Sequence, residues 1–157
     1  MGTAGSVADV HSVDTPIGAL WLARDEHGLS GVAFAGPARV ASSDSLLRET
    51  ADQLRAYFAR ELENFELPLS PRGTEFQRRV WKAVAAIPYG ATTTYSALAA
   101  SLGSPAACRA VGAANGRNPL PIVVPCHRVV GSGGALTGYG GGLERKRALL
   151  DLETGAG

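Results

Sequence analysis

Residues 118–142 read "NPLPIVVPCHRVVGSGGALTGYGGG", and this stretch restricts the fold more than any other. Pro119, Pro121 and Pro125 exclude a helix, because each lacks a backbone donor and clashes with the preceding turn. The apolar run at 122–124 is expected to form a buried, extended strand. Seven glycines then fall within residues 131–142. Such a loop brings its backbone close to something, either its own packing or a ligand. The fold must therefore seat an extended segment and a glycine loop between the helices on either side.

Those helices announce themselves. Upstream, "GTEFQRRVWKAVAAIPYG" carries Thr74 with Gln77 three residues on, a capping-box spacing. Phe76, Val80, Val84 and Ile87 mark one face, and Pro88 with Gly90 ends the helix. "TTTYSALAASLG" predicts a second helix, capped by a threonine and closed by Gly103. "SPAACRAVGAANG" predicts a third, with Ser104 as N-cap, Pro105 at the first helical position and Gly116 as the stop. The tight glycine turn between the last two is a helix-turn-helix pattern. Downstream, "LERKRALLDLE" predicts a closing helix with Leu143, Leu150 and Leu152 available for the core.

The first part of the chain has a different pattern. Apolar runs at 17–23 and 29–35 flank the polar turn Asp25-Glu-His-Gly28, which reads as a β-hairpin. A helix follows, capped in the Ser43/Asp44/Ser45 cluster, with Leu47, Ala51, Leu54, Phe58 and Leu62 at helical spacing. "ELPLSPRG" reads as a linker. The expected fold class is a small α/β N-terminal domain, residues 1–69, made of a short antiparallel sheet plus a helix. A mainly α C-terminal domain, residues 70–157, follows with a helix-turn-helix or winged-helix-like core.

Charge divides at the same place. Residues 1–69 hold five Lys/Arg against ten Asp/Glu, and residues 70–157 hold ten against four. The basic second part is suited to a polyanion. The chain has no basic, apolar leader pattern and no membrane-length apolar run, so a cytoplasmic protein with no membrane partner is expected.

Two cysteines form neither a disulfide framework nor a four-cysteine zinc site. Cys108, Cys126, His11, His27 and His127 are too scattered for a structural zinc motif, so no metal is expected. The glycine loop matches no phosphate-binding signature. Cys108 lies in an Ala-rich helix and is read as structural. Cys126 has two readings, a small core hydrophobe or a nucleophile. His127 and Arg128 beside it would lower a thiol pKa and raise its thiolate fraction. Arg109 stands on a helix of small residues that offers almost nothing to read base edges in a major groove. A helix with so bare a face can approach a minor groove closely, with one arginine as a wedge beside a displaced nucleotide.

"RAVGAANGRNP", "PCHRVV", "GYGGGL" and a terminal Leu-Glu occur in this order. Together they resemble the O6-alkylguanine-DNA alkyltransferase family, also called methylated-DNA–protein-cysteine methyltransferases. The likeness runs from about residue 73 to residue 153, and the "DTPIG" segment resembles the small N-terminal domain of bacterial members. The resemblance implies DNA repair by single-turnover transfer of an alkyl group from O6-alkylguanine, or O4-alkylthymine, to Cys126. His127 would activate Cys126 through a water and be oriented by Glu153. Asn118 would hold the turn that shapes the site. Tyr95 would help rotate the nucleotide and donate to the leaving guanine. Arg109 would fill the space in the base stack, with Ala110, Ala113 and Ala114 also at the DNA, and Arg128 would either anchor the strand or meet the phosphate backbone at the DNA. Val129, Tyr139 and Gly140 would line the guanine pocket.

No cofactor is implied, since the lesion is the alkyl donor. The implied partner is double-stranded DNA bearing alkylated bases, bound by a monomer, with cooperativity along the duplex left open. Residues 1–69 contain no cysteine, which excludes the thiolate-held zinc of some members. Gly140 stands where some members have serine, which bears on the alkyl size tolerated. A cysteine hydrolase, a lesion binder without an acceptor and a plain transcriptional regulator fit less well. The first leaves the helix-turn-helix unexplained, the second lacks the cysteine present here, and the third needs base-reading side chains.

Overall fold

The structure is a computed structural model that describes residues 10–155. It forms two compact units, Met1–Arg72 and Gly73–Gly157. Among the described residues no helix is long and apolar enough to cross a membrane.

In the first unit three antiparallel strands lie in the order β1 (Val10–Thr15), β2 (Gly18–Arg24) and β3 (Leu29–Ala33). The predicted hairpin is β2–β3. Its turn is held by Asp25, whose Oδ1 accepts from the backbone N–H of His27 and Gly28 at 2.8 and 3.1 Å. β1 was not expected, because "VHSVDT" shows only two apolar residues, of which Val13 is buried. It pairs in register with β2, Val13 opposite Leu20.

Helix α1 (Ser45–Phe58) is capped by Asp44, whose side chain accepts from the Leu47 N–H. Its buried face is Leu47, Thr50, Ala51, Leu54 and Tyr57. Tyr57 takes the core place expected of Phe58, and Leu62 lies beyond the helix end. Each fully buried leucine here contributes about 1.5–3 kcal/mol.

The segment read as a linker is bound along β3. Leu29 N–H donates to Pro68 O at 2.8 Å and Ser70 N–H donates to Leu29 O at 2.7 Å. Ser70 Oγ and Arg72 Nη2 both donate to Asp25 Oδ2, at 2.6 and 3.0 Å. Gly28 is required here: a Cβ on it would stand 2.5 Å from Pro68 O.

The second unit opens with α2 (Glu75–Ala85), whose Thr74–Gln77 capping box forms in full. Val80, Trp81, Val84 and Ile87 are buried. The helix-turn-helix follows as α3 (Tyr95–Ser101), a turn with Gly103 at φ 76°, and α4 (Cys108–Gly116). Thr94 caps α3. Residues Pro105–Ala107 form a 3-10 turn rather than the start of the α-helix, and Ser104 makes no side-chain cap. Gly116 is the last helical residue, not the residue after it. Trp81 Nε1 donates to Ala114 O at 2.7 Å and ties α2 to α4.

The strand expected at 122–124 is absent. Residues 120–130 are all buried, 122–124 as anticipated, but 121–124 form a turn. Ile122 sits at φ 76°, an unusual place for a β-branched residue. The turn exists because Asn118 brackets it: its Oδ1 accepts from Leu120 N–H at 2.9 Å and its Nδ2 donates to Val124 O at 2.8 Å. Cys126–Arg128 then make a 3-10 turn, and β5 (Val129–Val130) pairs in parallel with β4 (Thr93–Thr94).

Helix α5 (Leu143–Thr154) closes the unit. Its core residue is Leu149, while Leu143 is 48% exposed and Leu150 and Leu152 are half-buried. The expected leucine face is displaced because Lys146 and Glu153 are the buried members of that face.

Candidate active site

The Cys126–Arg128 turn sits deep in the second unit. Cys126 is 7% exposed and His127 is fully buried. A 3-10 turn places the two side chains in succession, with Cys126 N–H donating to Val124 O at 2.7 Å and Arg128 N–H to Pro125 O at 2.9 Å. α5 delivers Glu153 beneath them. His127 Nε2 stands 2.7 Å from Glu153 Oε2, and the Glu153 side chain is 1% exposed. A carboxylate can only accept, so Nε2 carries the proton and Nδ1 is the basic nitrogen. Nδ1 is buried and makes no hydrogen bond among the described residues.

Arg128 completes this arrangement. Its Nε donates to Glu153 Oε1 at 2.8 Å, its Nη2 to Glu153 Oε2 at 2.9 Å and its Nη1 to Ile87 O at 2.7 Å. Its guanidinium also lies over the Tyr89 ring, 5.6 Å from the centroid. The expectation that Arg128 meets DNA is therefore corrected. It is 5% exposed, and its charge is matched by Glu153 inside the protein.

The expected cationic push on the thiol is corrected too. Burial raises the Cys126 thiol above its ordinary value, and this outweighs the opposing hydrogen bond from Asn118 and charge of Lys146. Arg128 is neutralised by Glu153. Burial likewise lowers His127, against the pull of Glu153. The thiol and the imidazole are both held neutral.

Lys146 is the residue that sequence reasoning missed. It is fully buried, and its Nζ donates to Val129 O at 2.8 Å and to Thr137 O at 2.7 Å. It fastens the glycine loop to the strand after the Cys126–Arg128 turn. A signal was present: Lys146, Leu149 and Glu153 recur at 3 and 4 residues on α5 and share one face. Tyr139 is half-buried, and burial pushes its phenol well above the ordinary range. Val129 is fully buried and Gly140 exposed.

A cleft of 490 Å³ opens between α3, α4 and the glycine loop. Tyr95, Arg109, Gly112, Asn115, Tyr139 and Gly140 are in its wall. The Tyr95 ring lies against α4 at Gly112, 3.6 Å from where a Cβ would stand. Thr137 Oγ1 donates to Tyr95 Oη at 3.3 Å, across the cleft mouth. Arg109, Ala110 and Ala113 are exposed on α4. Ala114, expected beside them, is buried, with its carbonyl taken by Trp81. Cys108, read as structural, is half-buried and belongs to the same wall. Among the described residues no group of three His, Cys, Asp or Glu could hold a metal ion.

Two family models match the chain. The DNA-binding domain of 6-O-methylguanine DNA methyltransferase matches residues 75–155, and its ribonuclease-like domain matches residues 10–71. A methylated-DNA–protein-cysteine methyltransferase of Methanosarcina barkeri is 50% identical over 148 residues, 90% of this chain and 94% of that protein. The protein of the same name from Mycobacterium tuberculosis is 50% identical over 148 residues, 90% of each chain. The crystal structure of Mycobacterium tuberculosis OGT in complex with DNA superposes with a TM-score of 0.85 at 48% identity, covering 93% of this chain and 92% of that one. On the strength of both domain models and these full-length relatives, the chain belongs to the methylated-DNA–protein-cysteine methyltransferase family.

Proposed function

We propose that this protein repairs DNA by moving an alkyl group from O6-alkylguanine to its own Cys126, once per molecule and irreversibly. The observation that carries the reading is the buried Glu153–His127 pair, which leaves His127 Nδ1 basic on the residue that follows the buried, neutral Cys126 thiol. Glu153 fixes the tautomer and favours the imidazolium that forms when His127 takes the thiol proton through a bridging water. The sulfur then attacks the alkyl carbon. The carbon–oxygen bond breaks, a carbon–sulfur bond forms, and guanine leaves with the electron pair on O6. Tyr95 donates to that leaving base as charge develops. A thioether is not reversed by water or thiols, so the protein is consumed.

An alkyl group on guanine O6 lies inside the duplex, so the nucleotide must be extruded. The exposed face of Ala110 and Ala113 suits close approach to a minor groove, and Arg109 at its edge fills the vacated stack. The flipped base enters the cleft walled by Tyr95 and Tyr139. Asn118 keeps the turn before Cys126 in its tight conformation.

The test is direct. Duplex DNA with one O6-methylguanine is incubated with the protein, and the Cys126 peptide is weighed after digestion. A methyl-sized gain that disappears in Cys126→Ser supports the reading. An unmodified Cys126 peptide after the lesion has been consumed overturns it.

A further inference from the structure

Asn115 is buried, 5% exposed, at the C-terminal end of α4, in the wall of the cleft. Its Nδ2 donates to the carbonyl of Cys126 at 3.3 Å. Its Oδ1 is buried and accepts no hydrogen bond among the described residues. Trp81 ties this end of the helix down through the Ala114 carbonyl, and the amide itself is held by its burial and its bond to Cys126 O. A buried acceptor without a donor costs folding free energy, and such a group persists where a ligand completes it.

The chemistry of the base identifies what that ligand offers. Alkylation of guanine O6 removes the proton from N1. N1, N3 and N7 are then all acceptors. The exocyclic 2-amino group is the one N–H donor left on the base. An acceptor beside the Cys126 carbonyl is matched to that group and to nothing else on the lesion.

We infer that Asn115 is a specificity-determining residue whose Oδ1 accepts a hydrogen bond from the 2-amino group of the flipped alkylguanine. Its Nδ2 bond to the Cys126 carbonyl sets the angle of the amide, so that reading the base and holding the acceptor turn are done by one side chain. The inference rests on the alkyl-transfer reading above.

The experiment compares two duplexes that differ only at the 2-amino group, one with O6-methylguanine and one with O6-methylhypoxanthine. The single-turnover rate of methyl transfer to Cys126 is measured on each. The native protein is expected to favour the guanine lesion by about tenfold, the size of one hydrogen bond to a buried partner. Asn115→Leu, of similar size without polar atoms, is expected to bring the ratio to about one by losing rate on guanine alone. Asn115→Asp is the control for folding. Buried beside a carbonyl it is protonated, keeps an acceptor oxygen, and is expected to keep the preference. An unchanged ratio in Asn115→Leu overturns the inference, as does a ratio lost equally in Asn115→Asp. Where Asn115→Leu does not fold, the Asn115→Asp ratio decides alone. Absence of any transfer by the native protein would instead sink the alkyl-transfer reading, so the two failures are distinguishable.

Discussion

Glu153 Oε2 lies 2.7 Å from His127 Nε2, and both Glu153 oxygens also accept from Arg128. One buried carboxylate thus fixes an imidazole and neutralises a guanidinium. Glu153→Gln is expected to slow methyl transfer by about 10²–10³-fold, the scale of a general base deprived of its orienting partner. It also leaves Arg128 buried and unmatched, at a cost of about 3–5 kcal/mol. Single-turnover kinetics and denaturant unfolding of the same variant measure both losses. A variant as stable as the native protein would contradict the buried-pair account.

Acid is expected to act on the rate through His127. Burial lowers its folded pKa below 6.5, so the imidazole remains a base at neutral pH and is lost only below about pH 6.5. The thiol is raised above 9.0, so no thiol inflection should appear between pH 7 and 9. The unfolded chain binds a proton at His127 near pH 6.5 and the folded chain does not, so stability also falls as pH drops below about 6.5. Rate and unfolding free energy measured from pH 5 to 9 check both. A rate that climbs steadily from pH 7 to 9 would point to a free thiol acting without His127.

Lys146→Met is expected to destabilise the second unit by about 1–3 kcal/mol, because the carbonyls of Val129 and Thr137 lose their donor inside the protein. It also removes a positive charge that lowers the Cys126 thiol. In the folded protein the Cys126 thiol should therefore react more slowly with a small electrophile at pH 8. Equal labelling rates in variant and native protein would confine Lys146 to a structural role.

Much of this was legible in the sequence. Thr74 with Gln77 announced a capping box that forms in full, because a cap is a local device whose two partners are three residues apart. Asp25 announced a turn for the same reason. The failures were non-local. The β-branched run at 122–124 has strand propensity, but two side-chain hydrogen bonds from Asn118 outweigh it and fold a turn. Arg128 points, in the sequence, to the neighbouring thiol or to DNA, because its partners, Glu153 and Ile87, are 25 and 41 residues away. Lys146 escapes a reading of the sequence, since its spacing from Leu149 and Glu153 gives a shared face but not the backbone carbonyls that gather round its ammonium group.

Arg109→Ala is expected to weaken repair of duplex DNA by about tenfold or more, the effect of losing about 1.4 kcal/mol or more of support for the extruded nucleotide. Reaction with the free alkylated base should be nearly unaffected, because Arg109 is exposed on α4 while the His127–Glu153 pair is buried. The two rates, measured side by side, test the wedge. Equal losses on both substrates would contradict it.

The central claim is that Cys126 accepts one alkyl group and is thereby spent. It is tested most directly by counting methyl groups transferred per protein molecule in an excess of O6-methylguanine duplex. The account predicts a plateau at about one, with the label on Cys126. Continued transfer beyond one per molecule, or label on Cys108, would contradict it.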